Sequence, residues 1–344
     1  NKEIQLGRIY DTSREAGSLL FGEEWEIRYR NYANQIKYNL KGIYKARKAF
    51  REWSPLKFYM SFTNAKRDLR YLKFGVRYLG QEVAELIINT VESDKEIDDD
   101  LKKYTPLLNT KANKYDVNNA KYFDWQKSLN MVDWRGDEAK EFRNYFRRNP
   151  KRIEISAPHN EEHRIESLLL TEFSKHNKDG KALPYIQPVK IAGVRFSMST
   201  PLSASNHKAV KYSGVKGGGI DILARVGKSG RSAKLCVIEV KDENNSKEPP
   251  LEVIKQAVAY ATFIHELIRS ESGYDWWEFF GFSNSIPRNL TVLAACAMPS
   301  NENNDYSFAN KEIKVANNDI IRLHYIYFKE KDNKIIGIES SLNQ

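Results

Sequence analysis

The sequence predicts a mixed α/β protein, and three observations support this expectation. A helical pattern at 161–176 precedes several strand-like runs, two of which flank the turn sequence Gly-Lys-Ser-Gly-Arg at 227–231. A helix with Pro at its start follows at 249–270, and then a strand-like apolar run at 289–298. The order α-β-β-β-α-β, completed by a terminal hairpin, predicts a mixed sheet with helices packed on it.

The elements before residue 150 are less regular. Residues 23–53 have the pattern of a helix, and residues 56–79 contain two strand-like runs around a polar turn. Residues 80–88 fit either a strand or a helix. Pro150 and Pro158 mark a boundary. We therefore expect a mainly helical, basic N-terminal domain at 1–150 and the α/β domain at 151–344.

The α/β domain can be followed element by element. Residues 183–198 read as one strand after the first helix, and residues 218–226 and 233–241 as a hairpin. At the end of the chain, two strand-like runs flank the turn sequence Lys-Asp-Asn-Lys and predict the last hairpin.

Composition restricts the class of partner. Lys and Arg number 55 against 45 Asp and Glu, for a formal net charge of +10, which favours polyanions: nucleic acid first, an anionic membrane surface second. No apolar run reaches the roughly 20 residues of a membrane helix, and no signal peptide is visible. Cys236 and Cys296 lie in apolar runs and read as buried free thiols, so we expect a cytoplasmic protein.

Charged residues interrupt the apolar hairpin. Glu239 and Lys241 share one face of their strand, and folding about residues 229–230 brings Asp221 of the partner strand near them. A solvated strand face with a charge pair would be the simplest interpretation. Two converging carboxylates also suit a hard cation such as Mg²⁺ or Mn²⁺, since they would otherwise repel each other.

Two helices supply further candidates. Glu166 lies at the edge of the apolar face of the helix at 161–176, with Glu162 as the competing carboxylate. Gln256 and Tyr260 are four residues apart on the helix that follows the hairpin, so they share one face.

Together these residues resemble the PD-(D/E)xK nuclease superfamily, which has the restriction-endonuclease-like fold. The resemblance rests on the hairpin with Asp221, Glu239 and Lys241, while Gln256-x-x-x-Tyr260 and the glycines at 217–219 are similar to the RecB-like branch. It covers roughly residues 155–300, and it departs from the family pattern because Ile220, not Pro, precedes Asp221.

The resemblance implies a Mg²⁺- or Mn²⁺-dependent nuclease that acts on DNA. Asp221, Glu239 and the carbonyl of Val240 would hold the metal, with Glu166 reaching an outer position. Lys241 would orient or deprotonate the attacking water, and Gln256 and Tyr260 would position the strand or the metal waters. The resemblance leaves DNA or RNA, endo- or exonuclease action, sequence specificity, pathway and oligomeric state open.

The N-terminal part adds a basic surface. Residues 28–79 hold fourteen Lys and Arg against two acidic residues, interleaved with twelve aromatic side chains. Most of these aromatics are expected to form a core, but the charge excess favours a polyanionic ligand. We expect Arg47, Lys48, Arg67 and Arg70 to contact nucleic-acid phosphates.

Two other interpretations remain open. The chain would be a catalytically silent nucleic-acid-binding protein if it kept the nuclease fold without its activity. The sequence His-Asn-Glu-Glu-His at 159–163 also fits a zinc metalloprotease pattern through His159, Glu162 and His163. Metal content separates the three interpretations. Bound Mg²⁺ or Mn²⁺ would indicate the nuclease, no bound metal the silent nucleic-acid-binding protein, and Zn²⁺ the metalloprotease.

Overall fold

The structure is a computed structural model, and it describes residues 2–22, 24–49, 51–61, 71–89, 102–106, 135–148, 160–205, 209–230, 232–244 and 248–343. The chain divides into two compact units. Unit 1 comprises Asn1–Ala33, Leu168–Lys190 and Ser197–Gln344, and unit 2 comprises Asn34–Ser167 and Ile191–Phe196. Residues 1–33, which the sequence assigns to the N-terminal domain, thus group with the C-terminal part. The expected boundary at 150 lies outside the described residues.

Pairs of helices separate groups of strands along the described chain, which makes it a mixed α/β protein. The α-helices are α1 (Lys2–Leu19), α2 (Glu24–Ala49), α3 (Asp137–Arg148), α4 (Asn160–Phe173), α5 (Pro250–Arg269) and α6 (Gly273–Phe279). The first strands are β1 (Lys57–Ser61), β2 (Tyr71–Tyr78), β3 (Gln81–Asn89), β4 (Lys102–Pro106), β5 (Ile186–Pro188), β6 (Lys190–Ile191), β7 (Val194–Ser197), β8 (Leu202–Ser203) and β9 (Lys211–Tyr212). The remaining strands are β10 (Ile222–Val226), β11 (Lys234–Val240), β12 (Thr291–Pro299), β13 (Glu312–Lys314), β14 (Ile320–Lys331) and β15 (Lys334–Ser340).

Unit 1 is built on a mixed sheet. Its strands run in the order β13-β14-β12-β11-β10-β5, and β15 pairs with β14. β10 and β11 form the expected antiparallel hairpin, whereas β11 pairs parallel to β12 and β12 parallel to β14. A parallel pair needs a long crossover connection, and α5 and α6 supply it between β11 and β12. Along the chain α4, β5, β10, β11, α5 and β12 follow one another in this order, with β6 to β9 and α6 lying between them.

Helix α5 forms the centre of the core of unit 1. Most of its side chains are buried, as the nearly continuous apolar sequence from Val253 to Ile268 requires. Helix α1 packs on it, with Ser13 Oγ 3.0 Å from Thr262 Oγ1. Trp25 and Tyr29, at the start of α2, place their rings against Phe263. The N-terminal residues thus complete the core that holds α5 against the sheet.

Unit 2 contains a second sheet, in the order β4-β3-β2-β1-β7-β6 among the described residues. The expectation of a mainly helical N-terminal domain holds only in part, because β1 to β4 lie between α2 and α3. Their segment alternates apolar and polar residues, for example Phe74 and Val76 buried on β2, which is typical of strands.

The run at 183–198 is not the single strand predicted from its apolar pattern. β6 and β7 are separated by a tight turn in which Ala192 and Gly193 have φ angles of 48° and 80°. β5 pairs with β10, whereas β7 lies beside β1 in the other sheet. Hydrophobic runs predict strands but do not predict which sheet each half joins.

Two smaller expectations are confirmed. Cys236 and Cys296 are buried free thiols, and burial raises the pKa of both. The terminal hairpin turns at Asp332 and Asn333, whose φ angles of 51° and 57° suit the two-residue turn. Among the helices of the described chain, none combines the length and apolar character that crossing a membrane requires.

Candidate active site

The β10–β11 hairpin places Asp221 beside Glu239. The last regular pair of the ladder is Ile222 with Ile238, so the next position outward sets Asp221 opposite Glu239. The backbone N–H of Val240 donates to Asp221 Oδ2 at 2.8 Å, which fixes that carboxylate at the end of the strand. The hairpin thus places Asp221 and Glu239 at neighbouring positions, and that the pair holds a metal stays a prediction.

Lys241 lies against the carboxylate of Glu239. Its Nζ is 3.3 Å from Glu239 Oε1, and only 11% of the lysine side chain and 7% of the glutamate side chain are exposed. The backbone N–H of Lys241 donates to Ala297 of β12 at 2.9 Å, which holds this end of β11 in place. Because strand residues two apart share a face, the pairing follows directly from the alternation of the strand.

Tyr260 of α5 lies near all three charged groups. Burial raises the pKa of its hydroxyl, and the carboxylates of Glu239 and Asp221 raise it further, whereas the hydrogen bond with Ala204 and the charge of Lys241 oppose the shift. The hydroxyl is therefore neutral at ordinary pH. It accepts a hydrogen bond from Ala204 N–H and donates one to Ala204 O, each at 3.2 Å.

The glycines at 217–219 let the backbone pass close to this tyrosine. A Cβ at Gly218 would stand 2.8 Å from Tyr260 Oη, and one at Gly217 would stand 1.9 Å from the carbonyl oxygen of Thr200. The carbonyl of Gly218 also accepts a hydrogen bond from Thr200 N–H, and its N–H donates one to the carbonyl of Leu202. The glycine run is thus needed for close packing at the entry to Asp221.

Gln256 lies one turn before Tyr260 on α5 and is also buried. Its Nε2 is 3.5 Å from Glu248 Oε1, and Glu248 Oε2 is 3.4 Å from Lys241 Nζ. Sequence reasoning missed Glu248 because it lies in an irregular loop, where no periodicity indicates the direction of a side chain. The Pro-Pro start of α5, just after it, was the available signal that the chain turns back here.

The donor set fits a hard divalent cation. Asp221 and Glu239 provide carboxylate oxygens. The N–H and the C=O of a strand residue point to the same edge of the strand, and the N–H of Val240 points to Asp221, so the carbonyl of Val240 points to that side as well. Oxygen ligands of this kind suit Mg²⁺ and Mn²⁺. Among the residues that the structure describes, no group of three or more His, Cys, Asp or Glu side chains is placed to hold a metal.

Glu166 belongs to unit 2, whereas the other six predicted catalytic and metal-binding residues belong to unit 1. Its Oε2 is 3.4 Å from His163 Nδ1. Burial raises the pKa of Tyr59, and the charge of Glu166 raises it further, whereas the charge of Arg195 lowers it. Its role as an outer metal ligand stays a prediction. His159 of the zinc pattern lies outside the described residues.

The predicted phosphate contacts lie partly on α2. Arg47 and Lys48 are exposed on its last turns, whereas Arg67 and Arg70 lie outside the described residues. From residue 34 to residue 49 the helix carries five Lys or Arg and no Asp or Glu. Tyr38 and Tyr44 are 45% and 49% exposed, and Lys48 Nζ lies 4.6 Å from the Tyr44 ring centroid. This exposed face of α2 combines positive charge with aromatic rings.

The fold and the site together define a mixed α/β protein whose hairpin brings two carboxylates and a lysine to one end of a sheet. Comparison with protein-family models, with curated proteins and with solved structures found no match. The chemistry of these side chains is therefore what indicates a function.

Proposed function

We propose that the protein is a Mg²⁺- or Mn²⁺-dependent nuclease of the PD-(D/E)xK type that hydrolyses phosphodiester bonds of DNA. The observation that carries the proposal is the convergence of Asp221, Glu239 and Lys241 at the end of the hairpin, with Tyr260 above them. Two carboxylates with an adjacent lysine form the set of groups that metal-assisted phosphodiester hydrolysis needs.

The topology of unit 1 supports a restriction-endonuclease-like core. The hairpin of β10 and β11 carries the acidic residues, α5 follows it, and β12 returns parallel to β11. This arrangement puts Gln256 and Tyr260 of α5 on the same side as the hairpin charges. The order of elements agrees with the one that the family resemblance implies.

A bound divalent cation would supply a Lewis acid that lowers the pKa of a water and offsets the charge that develops on the phosphate. Asp221, Glu239 and the Val240 carbonyl would hold it, with Glu166 as the candidate outer group. Lys241 would orient the water and contact the scissile phosphate, because its ammonium donates up to three hydrogen bonds. Tyr260 and Ala204 would fix the neighbouring backbone so that these groups keep their positions.

The exposed face of α2 would hold the substrate. Lys37, Lys41, Arg47 and Lys48 are exposed on a helix segment without acidic residues, so a polyanion lowers their mutual repulsion. Phosphate contacts of this kind give affinity without base recognition. The surface therefore suits binding that is independent of sequence.

The experiment that tests the proposed function is incubation of the full chain with plasmid, linear double-stranded DNA and single-stranded DNA, with and without Mn²⁺. Cleavage that requires the metal supports the proposal. Tight binding without cleavage under all conditions would favour the silent nucleic-acid-binding protein. Peptide hydrolysis stimulated by Zn²⁺ would favour the metalloprotease.

Replacing Lys241 by Ala should abolish cleavage but keep Mn²⁺ binding, because the amine is not a metal ligand. Loss of the group that orients the water should cost about 100-fold or more in rate. Calorimetric titration with Mn²⁺ checks the second half of the expectation. If the affinity for Mn²⁺ collapses together with the rate, the role assigned to Lys241 is wrong.

Replacing Lys41, Arg47 and Lys48 by Ala should weaken DNA binding for all sequences and make it less dependent on salt. Each lost phosphate contact removes about 0.9 from the slope of log K against log salt, so the triple variant should lose up to about 3. Fluorescence anisotropy at several salt concentrations measures this slope. Cleavage at saturating DNA should survive.

The matched control removes three exposed lysines from the terminal hairpin, at Lys329, Lys331 and Lys334. It changes the net charge equally but leaves α2 intact. An equal loss of slope in both variants would show that overall charge, not the face of α2, determines binding.

A further inference from the structure

Glu248 bridges two of the site residues. One of its carboxylate oxygens lies 3.4 Å from the ammonium of Lys241, and the other lies 3.5 Å from the amide nitrogen of Gln256. Its side chain is 23% exposed, so water also reaches it. The ammonium of Lys241 therefore lies within reach of the carboxylate of Glu239 and of that of Glu248.

The position of Lys241 creates a competition. Its ammonium lies 3.3 Å from Glu239 Oε1, on the carboxylate that the proposed function assigns to the metal. A divalent cation on that carboxylate would repel a neighbouring ammonium strongly in a site this poorly exposed. For the metal to bind, the ammonium has to give up its contact with Glu239, and a buried ammonium is stabilised there by its remaining contacts, of which the carboxylate of Glu248 is one.

We propose that Glu248 is a positioning residue that retains Lys241 when a divalent cation occupies Asp221 and Glu239. This inference rests on the proposed function, and it names the group that makes the cation and the lysine compatible in one site. Both contacts of Glu248 are longer than the usual 2.7–3.2 Å for hydrogen bonds, so they can shorten when Lys241 shifts.

Gln256 gives this carboxylate its direction. The amide of Gln256 holds Oε1, which leaves Oε2 turned toward Lys241. Gln256 is itself fixed by its buried place on α5. A carboxylate anchored in this way keeps the ammonium close to the reaction centre, whereas an unanchored loop side chain would not hold it there.

The test is calorimetric titration of the full chain with Mn²⁺, for the wild type, Glu248→Gln, Lys241→Ala and the double variant. Glu248→Gln should bind Mn²⁺ about 3- to 10-fold more weakly, because Lys241 then stays on Glu239. Lys241→Ala should bind Mn²⁺ at least as tightly as the wild type. In the double variant the effect of Glu248→Gln should disappear, since the competing ammonium is absent.

A control separates this effect from simple loss of negative charge. Glu252, whose carboxylate pairs with Lys255 at 3.0 Å, is changed to Gln in parallel. The inference is overturned if Glu248→Gln leaves the Mn²⁺ affinity unchanged, or if it weakens binding equally with and without Lys241. A wild-type chain that binds no Mn²⁺ would overturn the proposed function as well, so the two failures are distinguishable.

Discussion

Replacing Glu239 by Ala is expected to lower metal-dependent DNA cleavage by about 1,000-fold or more, while DNA affinity changes little. The expected loss is large because metal assistance supplies several kcal/mol of the stabilisation of the transition state. DNA affinity should persist because the phosphate contacts are assigned to α2. Cleavage of labelled DNA in Mn²⁺ and anisotropy without metal measure the two quantities.

Asp221 allows a sharper version of the same experiment. Its carboxylate also accepts the hydrogen bond from Val240 N–H, so Asp221→Ala removes a structural contact along with the charge. Asp221→Asn keeps an oxygen that can accept this hydrogen bond but loses the charge that a metal requires. We expect Asp221→Asn to fold with normal stability and still to lose cleavage.

The control for both variants is Glu302→Ala, which removes one exposed acidic side chain from the loop after β12. It should cleave at the wild-type rate. Wild-type rates in Glu239→Ala or Asp221→Asn would contradict the assignment of the site, whatever the fold of the sheet.

The hairpin and its charges could be predicted from the sequence because their order is local. Alternation along β11 places Glu239 and Lys241 on one face, and the hairpin register, which begins at Val226 and Lys234, determines which residue of β10 faces them. The spacing of Gln256 and Tyr260 likewise depends only on the helical repeat. Such features follow from the backbone period alone.

Other parts of the site depend on contacts between distant segments. The pairing of Tyr260 with Ala204 joins residues 56 apart through a loop that has no periodic pattern. Glu248 reaches Lys241 from an irregular loop before α5. The chain changes sheets between β5 and β6, at Val189, and a hydrophobic pattern does not reveal this division. These features arise from contacts between segments that are far apart in the sequence, and no local pattern predicts them.

The second large effect is expected at Asp319, far from the proposed site in sequence and buried completely. Arg269 donates to both of its oxygens at 2.8 Å, His265 Nε2 lies 2.8 Å from Oδ2, and Leu290 N–H donates to Oδ1. The carboxylate thus ties the end of α5 to the beginnings of β12 and β14. Such a connection stabilises the parallel strands that follow the crossover.

Replacing Asp319 by Ala should destabilise unit 1 by about 3–5 kcal/mol, because it leaves buried donors without their acceptor. Amide hydrogen exchange of β12 and β14 measures this loss locally. A loss of about 3 kcal/mol corresponds to roughly 100-fold faster exchange. The control is Glu312→Ala, which breaks an exposed ion pair with Arg322 and should cost less than about 1 kcal/mol.

Protonation of Asp319 is also expected to lower the free energy of unfolding at acid pH. Burial alone would raise the pKa of Asp319, but the hydrogen bonds from Arg269, Leu290 and His265 outweigh burial and lower the pKa below its ordinary value of 3.8. Its stabilising contribution is therefore complete above that value and is lost as the pH falls through the lower pKa of the folded state. Urea unfolding of the wild type from about pH 5 to about pH 2 should show this loss, and Asp319→Ala should show a smaller decline over the same range. If the two curves fall in parallel, the acid sensitivity arises from other carboxylates and the network around Asp319 does not control it.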